Sequence, residues 1–146
     1  MVNKVRIKTP GSSDFIQISK LYRELYKGDE EQKFFKSAIA PSNFKCGNKI
    51  FVAKENSKVL GFIWVIWYEH IKNKGVGIIE ELYVDENYRR KGLGKMLVNK
   101  ALQYLKKHAI LVVVTTGVDM KAAQKFYKAL NFKPSREWYY YDFRGP

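Results

Sequence analysis

Four basic residues and two glycines lie close together in the segment Arg89-Arg90-Lys91-Gly92-Leu93-Gly94-Lys95. The preceding Leu82-Tyr83-Val84 is typical of a strand end, and the apolar spacing that follows is typical of a helix. At such a helix N-terminus, free backbone N–H groups and the helix dipole attract anions. Glycine also lets a ligand approach the backbone closely. The segment therefore predicts a site for a phosphate-bearing ligand.

Two common phosphate-binding patterns do not fit this segment. The P-loop pattern G-x-x-x-x-G-K-[ST] is absent, and the dinucleotide pattern G-x-G-x-x-G fails because Leu97 stands where its third glycine would be. The pattern R-x-x-G-x-G, formed by Arg89, Gly92 and Gly94, resembles the pyrophosphate loop of the GNAT N-acetyltransferases, which bind acetyl-coenzyme A. A second segment, residues 123–132, resembles the A-x-x-F-Y-x-x-L-G-F segment of the same family.

The resemblance implies acetyl-coenzyme A as cosubstrate, held by backbone amides of residues 90–95. It further implies hydrogen bonds from the backbone of Leu82 and Val84 to a pantetheine arm that lies beside the sheet like an added strand. Basic side chains of the loop would supply charge, including to the ribose phosphate. The residues expected to bind the coenzyme are Leu82, Tyr83, Val84, Arg89, Arg90, Lys91, Gly92, Leu93, Gly94, Lys95 and Phe126.

Acetyl transfer to an amine requires a base for the amine, a polarised thioester carbonyl and a proton for the departing thiolate. The resemblance makes Tyr127 the general acid beside the coenzyme sulfur. Glu80 and Glu81 are the candidate bases, and similarity to the polyamine acetyltransferases puts Glu80 in the base position. Many members of the family use water molecules instead of a single base. An exposed glutamate at a sheet end and a core tyrosine are the plain alternatives.

Strand alternation predicts that Glu80, Leu82 and Val84 share one face of the sheet, with Glu81 and Tyr83 on the other. In the helix predicted at residues 120–130, the apolar positions expected to point inward are Ala123, Phe126 and Leu130.

Three further expectations concern the 120–130 helix and the residues at its ends. Tyr127 neighbours Phe126, and its polar tip suits a position facing a cleft. Met120 stands where family members often have an asparagine that contacts the coenzyme, and Asp119 is expected to cap the helix. Asn131 tolerates the left-handed backbone that follows a helix.

The apolar patterns place these residues on a series of alternating elements. They predict strands at 2–8, 49–54, 58–70, 77–84, 110–115 and 137–143, and helices at 13–26, 30–39, 92–107 and 120–130. The continuously apolar strand at 110–115 is expected to be covered on both sides. The order β-α-α-β-β-β-α-β-α-β predicts an α/β fold in one domain, residues 1–146. A GNAT-like, mixed and mostly antiparallel sheet flanked by helices is what the resemblance implies.

Composition narrows the function further. Lysine and arginine number 27 against 14 acidic residues, a net charge of +13, which attracts anions such as coenzyme A. A lysine coat that aids solubility would give the same excess. A nucleic-acid-binding module is the alternative function, since Trp138-Tyr139-Tyr140-Tyr141 could stack unpaired bases.

The remaining expectations concern location and partners. The chain has one cysteine and two histidines, which make no disulfide and no metal site. No secretory leader or membrane-length apolar run is evident, so a cytoplasmic protein is expected. The acceptor amine stays open between a small amine or polyamine, an aminoglycoside-like compound and a protein amine. The aromatic last strand offers a pairing surface for a homodimer.

Overall fold

The computed structural model describes residues 4–25, 45–70 and 74–134 of the chain. They fall into two compact units, the first ending at Thr115 and the second beginning at Thr116. The first unit contains β1 (Arg6–Lys8), α1 (Asp14–Leu25), β2 (Cys46–Glu55), β3 (Lys58–His70), β4 (Lys74–Val84), α2 (Leu93–Leu105) and β5 (Leu111–Val114). A short 3-10 turn, Glu86–Tyr88, precedes α2, and the second unit contains α3 (Lys121–Ala129). None of the helices in these ranges is long and apolar enough to cross a membrane.

The strands of the described ranges form one sheet in the order β1-β2-β3-β4-β5. Neighbours run antiparallel from β1 to β4, whereas β5 runs parallel to β4. The prediction of an α/β fold on a mixed, mostly antiparallel sheet is therefore confirmed. The helix predicted at 30–39 and the strand predicted at 137–143 lie outside the described residues, and the prediction of a single domain stays a prediction.

Most predicted boundaries agree with the structure to within a few residues. β3 spans Lys58–His70 as expected, and Asn56 takes a left-handed φ of 52° in the tight turn that joins β2 to it. β2 begins earlier than expected, at Cys46, because its first residues pair with the far end of β3, where Cys46 lies opposite Tyr68. That extension depends on pairing across the sheet, which the local sequence does not encode.

The two helices of the first unit cover opposite faces of the sheet. The centre of the Phe51 ring lies 5.8 Å from the centre of the Tyr104 ring in α2. The next residue, Val52, instead packs with Ile18 and Leu21 of α1. Consecutive strand residues point to opposite faces, so α1 and α2 lie on different sides. Ile18 and Val52 are completely buried, and burial of a side chain of this size contributes about 1.5–3 kcal/mol.

β5 is less covered than its apolar sequence predicts. Leu111 is 48% exposed, and Val112, Val113 and Val114 are only half-buried. The expectation of a strand covered on both sides is wrong. A continuous apolar run shows that a segment can be buried, but it does not determine which other elements pack against it.

A buried ion pair joins the start of α1 to the sheet. The Asp14 carboxylate is 3% exposed and lies 2.6 Å from the Lys54 ammonium in β2; its other oxygen accepts a hydrogen bond from the Gly11 backbone N–H at 2.8 Å. Burial raises the pKa of Asp14, but the hydrogen bonds from Lys54 and Gly11 and the charge of Lys54 outweigh it, so the net pKa lies below 3.8.

We expect Asp14→Asn to lower the free energy of unfolding at pH 7 by about 1–3 kcal/mol, because Lys54 loses its charged acceptor. A pKa depressed by folding stabilises the protein above its unfolded value and loses that contribution as the pH falls through the folded value. The difference between wild type and variant should therefore shrink below pH 3.8. Urea unfolding across this range measures it, and a difference that does not change with pH would contradict the assignment.

Candidate functional site

Among the described strands, the second half of β4 has a neighbour on one edge only. β4 pairs with β5 from Val76 to Ile79, where the last partner is Val114. From Glu81 to Val84, β4 continues to pair with β3, but none of residues 80–84 has a β5 partner. One edge of this segment therefore presents backbone groups to which an extended ligand could add as a further strand.

A β-bulge at Glu80 marks the point where this edge becomes free. Trp64 of β3 lies opposite Glu81, whereas the next residue, Val65, lies opposite Ile79, so Glu80 has no partner of its own. An inserted residue of this kind interrupts the alternation of faces. Simple alternation therefore does not hold across Glu80, and the prediction that Glu80 shares a face with Leu82 stays a prediction.

The bulge changes which side chains of β4 face α1. Ile79 pairs with Val65, and Tyr83 pairs with Phe62, a member of the core beneath α1. Ile79 and Tyr83 thus lie on opposite faces, although strict alternation would put them together. Glu80 is exposed and Glu81 is half-buried. The apolar pair followed by the acidic pair, residues 78–81, already breaks the alternation and could have signalled the bulge.

Hydrogen bonds fix the course of the chain directly after β4. The Asp85 backbone N–H donates to the Leu60 carbonyl at 2.8 Å, which ties the turn to β3. The Asp85 carboxylate accepts from the Asn87 backbone N–H at 2.9 Å and so caps the 3-10 turn. The chain then passes through left-handed conformations at Arg90, with a φ of 58°, and at Gly92, with a φ of 81°.

The backbone N–H groups at the start of α2 are the main candidate for binding an anion. The first helical hydrogen bond is donated by Met96 to the Gly92 carbonyl at 3.0 Å, which leaves the N–H groups of residues 92–95 without an acceptor in the helix. No side chain caps this terminus. A Cβ built on Gly92 would meet no atom within 4 Å, so Gly92 is required by its backbone conformation and not by crowding. This is the arrangement that binds phosphate at helix N-termini.

Arg89 braces the turn as well as carrying charge. Its Nε donates to the Val84 carbonyl at 2.8 Å, and its guanidinium lies 5.1 Å from the centre of the Tyr83 ring. The Tyr83 hydroxyl in turn donates to the Glu24 carboxylate of α1 at 3.3 Å. Burial raises the pKa of Tyr83, while the positive charge of Arg89 acts in the opposite direction. The loop is thus connected through Tyr83 to the end of α1.

A second support of the turn was not visible in the sequence. Tyr88 has the ammonium groups of Lys58 and Lys91 at 4.7 and 5.0 Å from its ring centre. Lys58 also donates to the Tyr88 hydroxyl at 3.2 Å, and this hydrogen bond raises the pKa of Lys58. Lys58 comes from the start of β3, so only the folded sheet brings it to the loop.

In the second unit, Tyr127 is the buried residue of α3. Its ring lies 5.1 Å from that of Phe126 and 5.3 Å from that of Phe132. Ala123, Phe126 and Leu130, which were expected to point inward, are only half-buried and so less buried than Tyr127. The expectation that Tyr127 is directed toward a cleft stays a prediction. The helical period alone does not fix the angle at which a helix packs.

Of the predictions about the ends of α3, one is wrong and one is confirmed. Met120 occupies the N-cap position and no side chain caps the helix there, so the prediction that Asp119 caps it is wrong. The Gln124 side chain instead donates to the carbonyl groups of Gly117 and Val118 at 2.9 and 3.3 Å. Asn131 has a φ of 66°, which confirms the expected left-handed residue after the helix.

The strand, turn and helix thus bring Glu80–Val84 and Arg89–Lys95 together as one continuous site, and Phe126 and Tyr127 lie in the second unit.

An uncharacterized N-acetyltransferase of Methanocaldococcus jannaschii is 31% identical to this chain over 141 residues, which cover 91% of this chain. The chain spans 62% of the length of that relative.

Solved structures share the fold. An aminoglycoside acetyltransferase from an uncultured soil metagenomic sample, in complex with sisomicin, superposes with a TM-score of 0.78 at 22% identity, covering 97% of both chains. An aminoglycoside N-acetyltransferase in complex with coenzyme A gives a TM-score of 0.77 at 16% identity, covering 96% of this chain and 95% of the other. The model of the acetyltransferase (GNAT) family matches residues 15–132, and the chain therefore belongs to the GNAT family.

Proposed function

We propose that this protein is an acetyl-coenzyme A-dependent N-acetyltransferase that transfers an acetyl group directly to a primary amine. One observation carries the proposal: the free edge of β4, Glu80–Val84, continues through a braced turn into the uncapped N-terminus of α2. An extended arm that ends in a diphosphate matches such a site, because the strand edge can bind the arm and the helix terminus can bind the diphosphate.

In this proposal the backbone of Leu82 and Val84 holds the pantetheine arm. The N–H groups of residues 92–95 hold the diphosphate, and the basic side chains of Arg90, Lys91 and Lys95, all exposed, add charge around it. Phe126 contributes an apolar contact. Holding both reactants in position can supply effective molarities of about 10⁵–10⁸ M, which accounts for much of the rate of such a reaction.

The bound thioester supplies an activated acetyl group, and side chains of the protein accept and donate the protons. The acceptor nitrogen bonds to the carbonyl carbon as the carbon–sulfur bond breaks. Glu80, or a chain of water molecules ending at Glu80 or Glu81, takes the proton that the amine loses. Tyr127 gives a proton to the sulfur, and a backbone N–H of the β4 segment stabilises negative charge on the carbonyl oxygen.

The acceptor is proposed only as a class: a small amine or polyamine, an aminoglycoside-like compound, or a protein amine. The comparisons give no support to the alternative of a nucleic-acid-binding module, and its aromatic cluster at 138–141 lies outside the described residues. The direct test is to incubate the protein with acetyl-coenzyme A and a panel of these amines. Amine-dependent release of coenzyme thiol with a matching acetylated product is expected, and no product with any amine would count against the proposal.

The loop assignment predicts that Gly94→Ala weakens coenzyme A binding at least about tenfold without loss of stability. Gly94 lies inside the helix at negative φ, where alanine is favoured over glycine by about 1 kcal/mol, but the added methyl group would obstruct the diphosphate. Calorimetric titration with coenzyme A and urea unfolding measure the two quantities. Asn99→Ala, on an exposed position of the same helix, is the matched control, and unchanged affinity in Gly94→Ala would remove the loop assignment.

The acid assignment predicts that Tyr127→Phe lowers kcat about 10²-fold, because a positioned general acid typically contributes 10²–10⁴-fold. KM for acetyl-coenzyme A should change little, since the ring is retained. Tyr68→Phe removes the same hydroxyl group from an exposed position of β3 and should leave turnover unchanged. If both variants keep wild-type turnover, Tyr127 is a core residue and not the acid.

The base assignment predicts that Glu80→Gln lowers kcat/KM about 10²-fold and removes the acidic limb of its pH profile. Glu81→Gln should have a smaller effect, and Glu69→Gln, a half-buried carboxylate at the far end of β3, should have none. An effect of less than about threefold in both Glu80→Gln and Glu81→Gln would show that water alone removes the proton.

A further inference from the structure

A basic cavity lies at the opposite edge of the sheet from β5. We name it the β1 cavity; it has a volume of about 350 Å³ and is lined by Lys4, Arg6, Lys8, Lys54 and Asn56. Four of its five lining residues are cations. Nothing in the proposed acetyl transfer uses it.

The register of β1 and β2 explains why these cations converge. Arg6 lies directly opposite Lys54, and Lys8 lies opposite Val52. Because side chains two apart on a strand share a face, Arg6 and Lys8 point to the same side as Lys54. This side is the one that α1 covers, since Val52 belongs to the core beneath α1. Lys4 precedes β1 and also lines the cavity.

The positive charge of the β1 cavity is only partly neutralised. Lys54 pairs with Asp14, but no carboxylate of the described ranges lies within ion-pair distance of Lys4, Arg6 or Lys8. Among the described residues, four cations against one carboxylate leave three positive charges without an ion-pair partner. Like charges directly opposite each other on neighbouring strands are destabilising, so the arrangement has a cost that a bound anion would offset.

Protection of an edge strand is the simplest competing explanation. Exposed lysines on an edge discourage pairing with other chains, and this accounts for charge on β1. It does not account for the contribution of Lys54, which is 20% exposed and lies on the interior strand β2, nor for the concave shape. The turn residue Asn56, held at a φ of 52°, adds an uncharged donor to the wall.

The β1 cavity lies away from the free edge of β4. β1 and β4 are three strand spacings apart in the sheet, which corresponds to about 14 Å. A ligand in the cavity would therefore not occupy the free edge of β4.

We propose that the β1 cavity binds a small anion that carries two or three phosphate groups. Guanidinium groups bind phosphate oxygens with two parallel hydrogen bonds, and ammonium groups act as point charges beside them, which suits Arg6 flanked by Lys4, Lys8 and Lys54. The cavity volume lies at the lower end of the range of about 300–1,000 Å³ that is usual for small-molecule sites. The ligand is therefore recognised through its phosphate groups and not through a large organic group.

Inorganic triphosphate is the probe, titrated into the ¹⁵N-labelled full chain while backbone amide shifts are followed. We expect saturable shifts at residues 6, 8, 54 and 56. Because the readout is residue by residue, binding at the coenzyme loop is seen separately, at residues 90–95. Shifts confined to residues 90–95 would overturn the proposal.

The double variant Arg6→Gln/Lys8→Gln should weaken triphosphate binding at the cavity at least about tenfold, because two charged hydrogen-bond donors are lost. Its melting temperature should not fall, since the variant relieves repulsion between like charges. The matched control is Lys106→Gln/Lys107→Gln, which removes the same charge from exposed positions after α2 and should change the affinity less than about threefold.

Two results would overturn the proposal, one from the double variants and one from titration with a single-stranded oligonucleotide. Equal weakening by both double variants would show that the net charge, and not the cavity, attracts the anion. Tighter binding of a single-stranded oligonucleotide than of triphosphate at equal phosphate concentration, with shifts spread beyond the cavity, would show a nucleic-acid surface instead.

Discussion

The separation of β4 from β5 after Ile79 is the constraint on which the candidate site depends. Backbone N–H and C=O groups need partners, and a parallel neighbour satisfies those of β4 only as far as the Ile79–Val114 pair. Beyond it, no described strand pairs with that edge, and the proposed function places the extended arm of the coenzyme there. The bulge at Glu80 lies where the pairing ends, so the loss of a neighbour and the change of face occur together.

The turn after β4 is held by contacts that leave its N–H groups free. Asp85 caps the short 3-10 turn, Arg89 is bonded back to the strand, and Tyr88 lies between two lysines. None of these contacts uses the amides of residues 92–95. A ligand would therefore meet donors that are already in place, which lowers the entropic cost of binding.

Two groups of cations in the described part of the chain bear on the proposals. One group of cations surrounds the start of α2, and another lines the β1 cavity. Asp14 ties α1 to Lys54 at the wall of that cavity, so one ion pair serves stability while its neighbours stay uncompensated. Neighbouring charges of one sign raise the local concentration of anions, which is what both proposals require of these two groups.

The sequence by itself determined the class of fold, the order of the described elements and the strand, turn and helix around Gly92 and Gly94. These features depend on local chemistry: apolar period, turn residues and the backbone freedom of glycine. The left-handed conformation of Asn131 was predictable for the same reason.

Only the tertiary structure decided which residues meet. Sequence alternation failed at Glu80 because an inserted residue is defined by the partner strand, and the helical period misjudged which residue of α3 is most deeply buried, Tyr127. Lys58 contacts Tyr88 in the turn before α2, and Arg6 lies opposite Lys54, only because the strands pair across the sheet. Contacts between residues far apart in the chain follow from strand register, which no single segment of the sequence contains.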